Sequence, residues 1–133
     1  MSVEIHPMIA AMPFAASLGI ELLSAEAGEV RGRMPWTAAL CTTGGMLHGG
    51  AMMSLADSLG AVCAFLNLPP GAATTTIESK TNFFRGVAAG EVLAITRPLH
   101  VGRRFIVVQT DLADGAGRRI AQVTQTQAVL AAA

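Results

Sequence analysis

Gly49-Gly-Ala-Met-Met-Ser-Leu-Ala-Asp57-Ser-Leu-Gly-Ala-Val-Cys-Ala-Phe-Leu-Asn67 is a nineteen-residue run with one formal charge, and Leu68-Pro69-Pro70-Gly71 follows it. Proline has no N–H to continue a helix, so the run reads as one long helix over 49–67 that ends at those prolines. Apart from Asp57 it is apolar on every side, and such a helix has to be buried.

What buries it is written on either side. Residues 20–27 and 29–36 read as two strands joined at Gly28-Glu29, and a Thr- and Gly-rich loop spans 37–47. Beyond the helix, residues 73–84, 91–101, 104–113 and 118–130 are rich in Val, Ile, Thr and Phe, with glycine-bearing turns between them. In the last of these, Ala121, Val123 and Val129 share one face and Gln122, Thr124 and Thr126 the other. Residues 7–17, apolar with two prolines, suggest a short irregular opening helix. A strand pair, a long helix and four hairpin-linked strands make an α+β architecture, an antiparallel sheet curled around one central helix.

Composition sets the outer bounds. The 133 residues suit one domain, 1–133. Hydrophobic residues make up 52% and charged ones 14%, against about 25% charged in ordinary soluble domains, so some apolar surface is expected to be covered in a homo-oligomer. The most apolar stretch, 47–68, carries Asp57 and three glycines, and no membrane span is expected. The opening residues lack the charged-then-apolar order of a signal peptide. Cys41 and Cys63 form no CxxC pair, which suits free thiols in the cytoplasm. His6, His48 and His100 lack metal-ligand spacing, so no metal is expected. Net charge is zero but uneven: two basic and six acidic residues precede Lys80, and seven basic and three acidic follow from it. That balance argues against nucleic acid and suits a small anionic ligand, or else arginines that solvate strand edges.

Asp57 is the residue that chemistry would use. An ionised carboxylate on an apolar helix needs a partner or shifts its pKa, so Asp57 either meets a donor from the sheet or is placed to react. Ahead of it, Leu47-His48-Gly49-Gly50 opens the helix with two glycines, whose free N–H groups and helix dipole suit a phosphate or a carbonyl oxygen gaining charge. An ordinary helix start would look the same, and His48 reads equally as a base or as a structural hydrogen-bonding residue. Gly50 and Asp57 are seven residues apart, roughly 10 Å along a helix, too far to serve one carbonyl carbon. If both act, the glycine end of one chain meets the carboxylate of another.

The run Gly45-Met-Leu-His48-Gly49-Gly50-Ala-Met-Met-Ser-Leu55-Ala56-Asp57 resembles the signature of the PaaI-type (phenylacetate-pathway) hotdog acyl-CoA thioesterases. The likeness extends to Leu18-Gly19-Ile20-Glu21, to the stretch from Thr76 through Asn82-Phe83-Phe84-Arg85, to Gly102-Arg103-Arg104, and to residues 114–121. It implies the hotdog fold, pairing into dimers or tetramers, and hydrolysis of acyl- or aryl-CoA with coenzyme A as part of the substrate and no other cofactor. It implies Asp57 as general base or nucleophile, the Gly50 amide polarising the carbonyl, His48 shaping the site, and Thr76 placing water or substrate. Where the family often carries Asn or Gln, six residues before the histidine, this chain has Thr42, with Cys41 and Thr43 beside it. For the phosphates of coenzyme A, Arg103, Arg104, His100 and Arg85 are the candidate donors. Phe83 and Phe84, with Met46, Met52 and Met53, are candidates to line an acyl pocket. A hotdog hydratase or dehydratase and a non-catalytic acyl-CoA binder are the alternatives.

Overall fold

The computed structural model describes residues 5–133. Two short helices, α1 (Pro7–Ala10) and α2 (Pro13–Ser17), replace the single opening helix, because Pro13 cannot donate to the first. Strands β1 (Glu21–Glu26) and β2 (Glu29–Pro35) form the expected hairpin. The loop after them is shaped by two turns of 3₁₀ helix, Ala38–Leu40 and Thr43–Gly45. Helix α3 (Gly49–Leu66) follows, then β3 (Ala73–Phe83), β4 (Glu91–Val101), β5 (Phe105–Asp114) and β6 (Arg119–Leu130).

All six strands form one antiparallel sheet in the order β1-β2-β4-β5-β6-β3. The expectation of four hairpin-linked strands fails at one junction: β3 pairs with β6 and β4 with β2, so the β3–β4 connection crosses the sheet. The residues between them, 84–90, are too long and glycine-rich for a tight hairpin. The crossing leaves β3 at one edge of the sheet and β1 at the other.

Helix α3 lies in the concavity. Ala51, Met52, Leu55, Ala56, Leu59, Val62, Cys63 and Ala64 are buried against Val30, Met34, Val92, Ile106, Val108, Leu112, Ile120 and Val123. A Cβ on Gly32 would lie 2.9 Å from Glu21 O and 3.0 Å from Leu59 Cδ2, so glycine lets β2 approach both the β1 backbone and the helix. At its far end Asn67 Nδ2 donates to Cys63 O (2.9 Å) and to Ala27 O (2.8 Å), tying the helix terminus to the β1–β2 turn. By length and apolarity α3 could cross a membrane; here it is the core helix of the sheet.

Burial is not complete, however. Gly50, Ser54 and Ala61 are half-buried, and Asp57 and Phe65 are exposed. These positions, three or four apart, form one stripe along the helix. The helix apolar on all sides is therefore open along one side in the single chain, the side that carries Asp57.

Strand β3 borders this stripe and contains a β-bulge between Thr76 and Glu78. One extra residue inverts the facing of everything beyond it. Thr76 pairs with Gln127, whereas Ser79, Thr81 and Phe83 pair with Gln125, Val123 and Ala121, all on the buried parity of β6. Without the bulge Glu78 and Lys80 would be turned toward the helix. With it, Ile77 is the extra residue and is 55% exposed.

Candidate active site

Asp57 meets the sheet through one carboxylate oxygen. Thr76 Oγ1 donates to Asp57 Oδ1 at 3.0 Å, and Gln125 Nε2 donates to the same oxygen. Behind them Gln127 Nε2 donates to Thr76 Oγ1 (2.7 Å), and Thr74 Oγ1 lies 3.1 Å from Gln127 Oε1. Gln125 and Gln127 are almost wholly buried, while Asp57 and Thr76 are at the surface of the chain. No described residue donates to Asp57 Oδ2. One oxygen is anchored and the other has no partner among the described residues, on a side chain that is exposed.

At the start of α3 stand His48, Gly49 and Gly50. His48 is the N-cap, and its Nδ1 accepts from Gly50 N at 2.8 Å. That bond gives the imidazole a structural part as the helix cap: Nδ1 spends its lone pair on the helix, and Nε2 is the ring nitrogen left to face another group. It also changes the expectation for Gly50, whose N–H is already engaged. Gly49 N–H has no partner among the described residues, so the open donor at this helix end is one residue earlier. Phe83 packs over it; a Cβ on Gly49 would lie 3.1 Å from the Phe83 ring.

Gly49 and Asp57 are eight residues apart along the helix, about two turns and roughly 12 Å of rise. Thr76 joins Asp57, and Phe83 joins Gly49, because β3 runs alongside α3 in the opposite sense.

The other expected residues fall elsewhere. His100, Gly102, Arg103, Arg104 and Phe105 line a cavity of about 420 Å³ at the β4–β5 turn. Gly102 N donates to Phe105 O at 2.9 Å to close that turn, and a Cβ on Gly102 would lie 2.7 Å from His100 Nε2. Arg103, Arg104 and Arg85 make no ion pair among the described residues. Arg118 and Arg119 instead pair with Asp114 and Asp111. Hydrogen bonds from the Arg118 backbone and side chain, with one from Ala116 N, hold the Asp114 carboxyl below the usual range. Thr42 is exposed, its N–H bound to Met46 O, and the cavity holding His48, Gly50 and Ser54 contains Cys41 rather than Thr42. Cys41 Sγ points to Thr37 O at 3.4 Å. Burial pushes the Cys63 thiol up to about 11, so it stays protonated. Of the residues thought to line an acyl pocket, Met52 is core, and Phe83 and Phe84 are about half exposed. An apolar cavity of about 280 Å³ beside the second half of α3 is lined by Met8, Ala11, Met12, Ala61, Val62, Phe65 and Thr74.

The sequence model of the thioesterase superfamily matches residues 44–121, the segment that runs from the second 3₁₀ turn through α3, β3, β4 and β5 to the start of β6. The chain belongs to the thioesterase superfamily. It is 35% identical over 115 residues to the proofreading thioesterase EntH of Klebsiella pneumoniae, covering 86% of this chain and 84% of that one. It is also 35% identical over 86 residues to the 1,4-dihydroxy-2-naphthoyl-CoA hydrolase of Escherichia coli, covering 65% of this chain and 63% of that one. Among solved structures, a thioesterase family protein from Silicibacter pomeroyi is 30% identical with a TM-score of 0.86, each chain covered to 92%. A mutant thioesterase from Pseudomonas aeruginosa is 26% identical with a TM-score of 0.89, covering 98% of this chain and 96% of that one. The fold is therefore the hotdog fold of this superfamily, and the protein is a thioester hydrolase.

Sequence reading missed Gln125 and Gln127. Their signal was parity: both occupy the face of β6 that Ala121 and Val123 mark as buried, where an amide needs a partner. The His48 cap yields a direct check. His48→Ala should lower stability by about 1 kcal/mol in urea denaturation, the usual cost of losing a side-chain cap. His48→Asn, which can still cap, should recover most of that loss.

Proposed function

We propose that this hotdog hydrolase cleaves acyl- or aryl-CoA thioesters with Asp57 as the reacting carboxylate. The observation that carries this reading is the asymmetry of Asp57: Oδ1 is held by Thr76 and Gln125 while Oδ2 is unpaired among the described residues, on the open stripe of α3. A carboxylate fixed in that way is oriented before substrate arrives, which is what general-base or nucleophilic work requires. As base, Oδ2 takes a proton from water as the water oxygen bonds to the thioester carbon. The tetrahedral oxyanion then collapses, the C–S bond breaks, and the thiolate of coenzyme A is protonated as it leaves. As nucleophile, Oδ2 itself bonds to the carbon, expels the thiolate, and forms an anhydride that water opens. Both routes build negative charge on the carbonyl oxygen.

Gly49 N–H at the positive end of α3 is the donor suited to that charge, with the Nε2–H of His48 beside it. It stands two helical turns from Asp57, so a second copy of the chain brings it to the reacting carbon. The unpaired edge of β3 and the exposed Phe65, Ile77 and Phe83 support two-fold pairing along this face, as a dimer or a dimer of dimers. The cationic turn at Arg103 and Arg104 suits the phosphates of coenzyme A, and the methionine-lined cavity beside Phe65 suits the acyl group. A relative named as a CoA-ester hydrolase supports the same substrate class. A cytoplasmic location fits that substrate and the free Cys41 and Cys63.

Asp57→Asn keeps size and removes the charge. Thiol release from a panel of short, long and aromatic acyl-CoAs should fall at least about 10²-fold, the low end for losing a positioned base, with thermal stability retained. Turnover near that of the parent would reject Asp57. Replacing Arg103 and Arg104 together by Gln should raise KM for acyl-CoA about tenfold, roughly 1.4 kcal/mol of binding, and leave a truncated pantetheine thioester almost unaffected. The difference should shrink as salt rises. Equal losses on both substrates would point to structural damage instead.

A further inference from the structure

Gln125 carries an unexplained cost. Its side chain is 2% exposed, its Nε2 donates to Asp57 Oδ1, and its Oε1 is buried with no hydrogen-bond partner. An orphaned carbonyl oxygen in the core is unfavourable, and native structures keep few of them without a reason. Gln127, two residues on, has both ends occupied by Thr74 and Thr76. The unpaired oxygen of Gln125 lies instead over Gly60, in the middle of α3, where a Cβ would overlap Oε1 and come within 3.1 Å of Gln125 Cδ. Glycine is a poor choice inside a helix unless something needs the space. Here the space is filled by this amide. Gly60 is otherwise buried among core residues, and the other close neighbour of its Cβ position is Val108 Cγ2 at 3.3 Å.

We propose that Gln125 is a positioning residue for the reacting carboxylate, and that Gly60 is the notch in α3 through which its amide reaches Asp57. This rests on Asp57 as the reacting group. The amide and Thr76 both donate to Oδ1, so the χ angles of Asp57 are held and Oδ2 is the oxygen left for the reaction. The orphaned Oε1 follows from the geometry: with the N–H group turned to the carboxylate, the carbonyl faces helix backbone that has no donor to offer.

The notch provides a test that a merely structural amide would not pass. Gly60→Ala adds one methyl that collides with the flexible end of Gln125 and displaces it from Asp57, while alanine favours the helix. The variant should keep the parent's thermal midpoint or exceed it, yet lose kcat by about 10- to 10²-fold with KM within about twofold, the penalty for a reacting group displaced by an ångström or so. Gln125→Met, similar in length but without the donor, should show the same split. Combining Gly60→Ala with Gln125→Ala should lower kcat no more than about threefold below Gln125→Ala alone, because both act on one contact. Parent kcat in either folded single variant, beside an inactive Asp57→Asn, overturns the proposal and leaves Asp57 in place. A rise in KM at constant kcat overturns it too. Turnover by Asp57→Asn itself removes the basis of both.

Discussion

A charge on the wall of an apolar helix has to be met from somewhere, and that need organises this molecule. Asp57 is the only charged residue of α3, and the described side chains that bond it come from the sheet: Thr76 from the edge strand β3 and Gln125 from its neighbour β6, with Gln127 and Thr74 behind them. Buried polar groups are tolerated when they bond one another. In this layer Gln127 is bonded at both ends and Gln125 at one, and the Ser79 and Thr81 hydroxyls farther along β3 are likewise buried without a partner. The bulge at Ile77 belongs to the same arrangement. It turns Thr76 toward Asp57 while keeping Glu78 and Lys80 away from the helix, so no second charge competes for the site.

The same face that carries the site is the face one chain leaves unfinished. Phe65 at 57%, Ile77 at 55% and Phe83 at 48% exposure line it, next to a strand edge with unpaired backbone groups. Exposed strand edges invite pairing with another chain, and apolar residues flanking one strengthen the invitation. A two-fold axis crossing α3 near Met53, half-way between Gly49 and Asp57, would lay the Gly49 end of one helix beside the Asp57 of its partner. On the proposed pairing, covering the open stripe and completing the active site would be one event.

Most of the frame was legible in the sequence because it is local. The helix ended at Leu66, one residue from its expected limit, since Pro69 and Pro70 stop it; the strands agreed within one or two residues because glycine turns bracket them. The pairing of β3 with β6 was not legible, since strand patterns say which face is buried and nothing about which neighbour lies alongside. The exposure of Asp57 was misjudged for a related reason: helix apolarity reports that a surface will be covered, and within this chain the stripe that carries Asp57 is left open. His48 and Thr76 were found through a motif, but only coordinates show that the imidazole occupies the Gly50 N–H and leaves that of Gly49 open. Gln125 hid among polar residues of β6 whose alternation was read from Ala121, Val123 and Val129 alone.

The central claim is a reacting site made from two chains, and subunit mixing tests it most directly. Gly49→Val blocks the helix end and Asp57→Asn removes the carboxylate, so each homodimer lacks both sites. In a mixed dimer built on two-fold symmetry, one site collects both lesions and the other collects neither. Co-refolding the two inactive variants in equal amounts makes about half the dimers mixed, and thiol release should return to roughly a quarter of the parent's, the fraction of sites left whole. No return of activity, with mixed dimers demonstrated by mass spectrometry, would contradict the shared site and confine the chemistry to one chain.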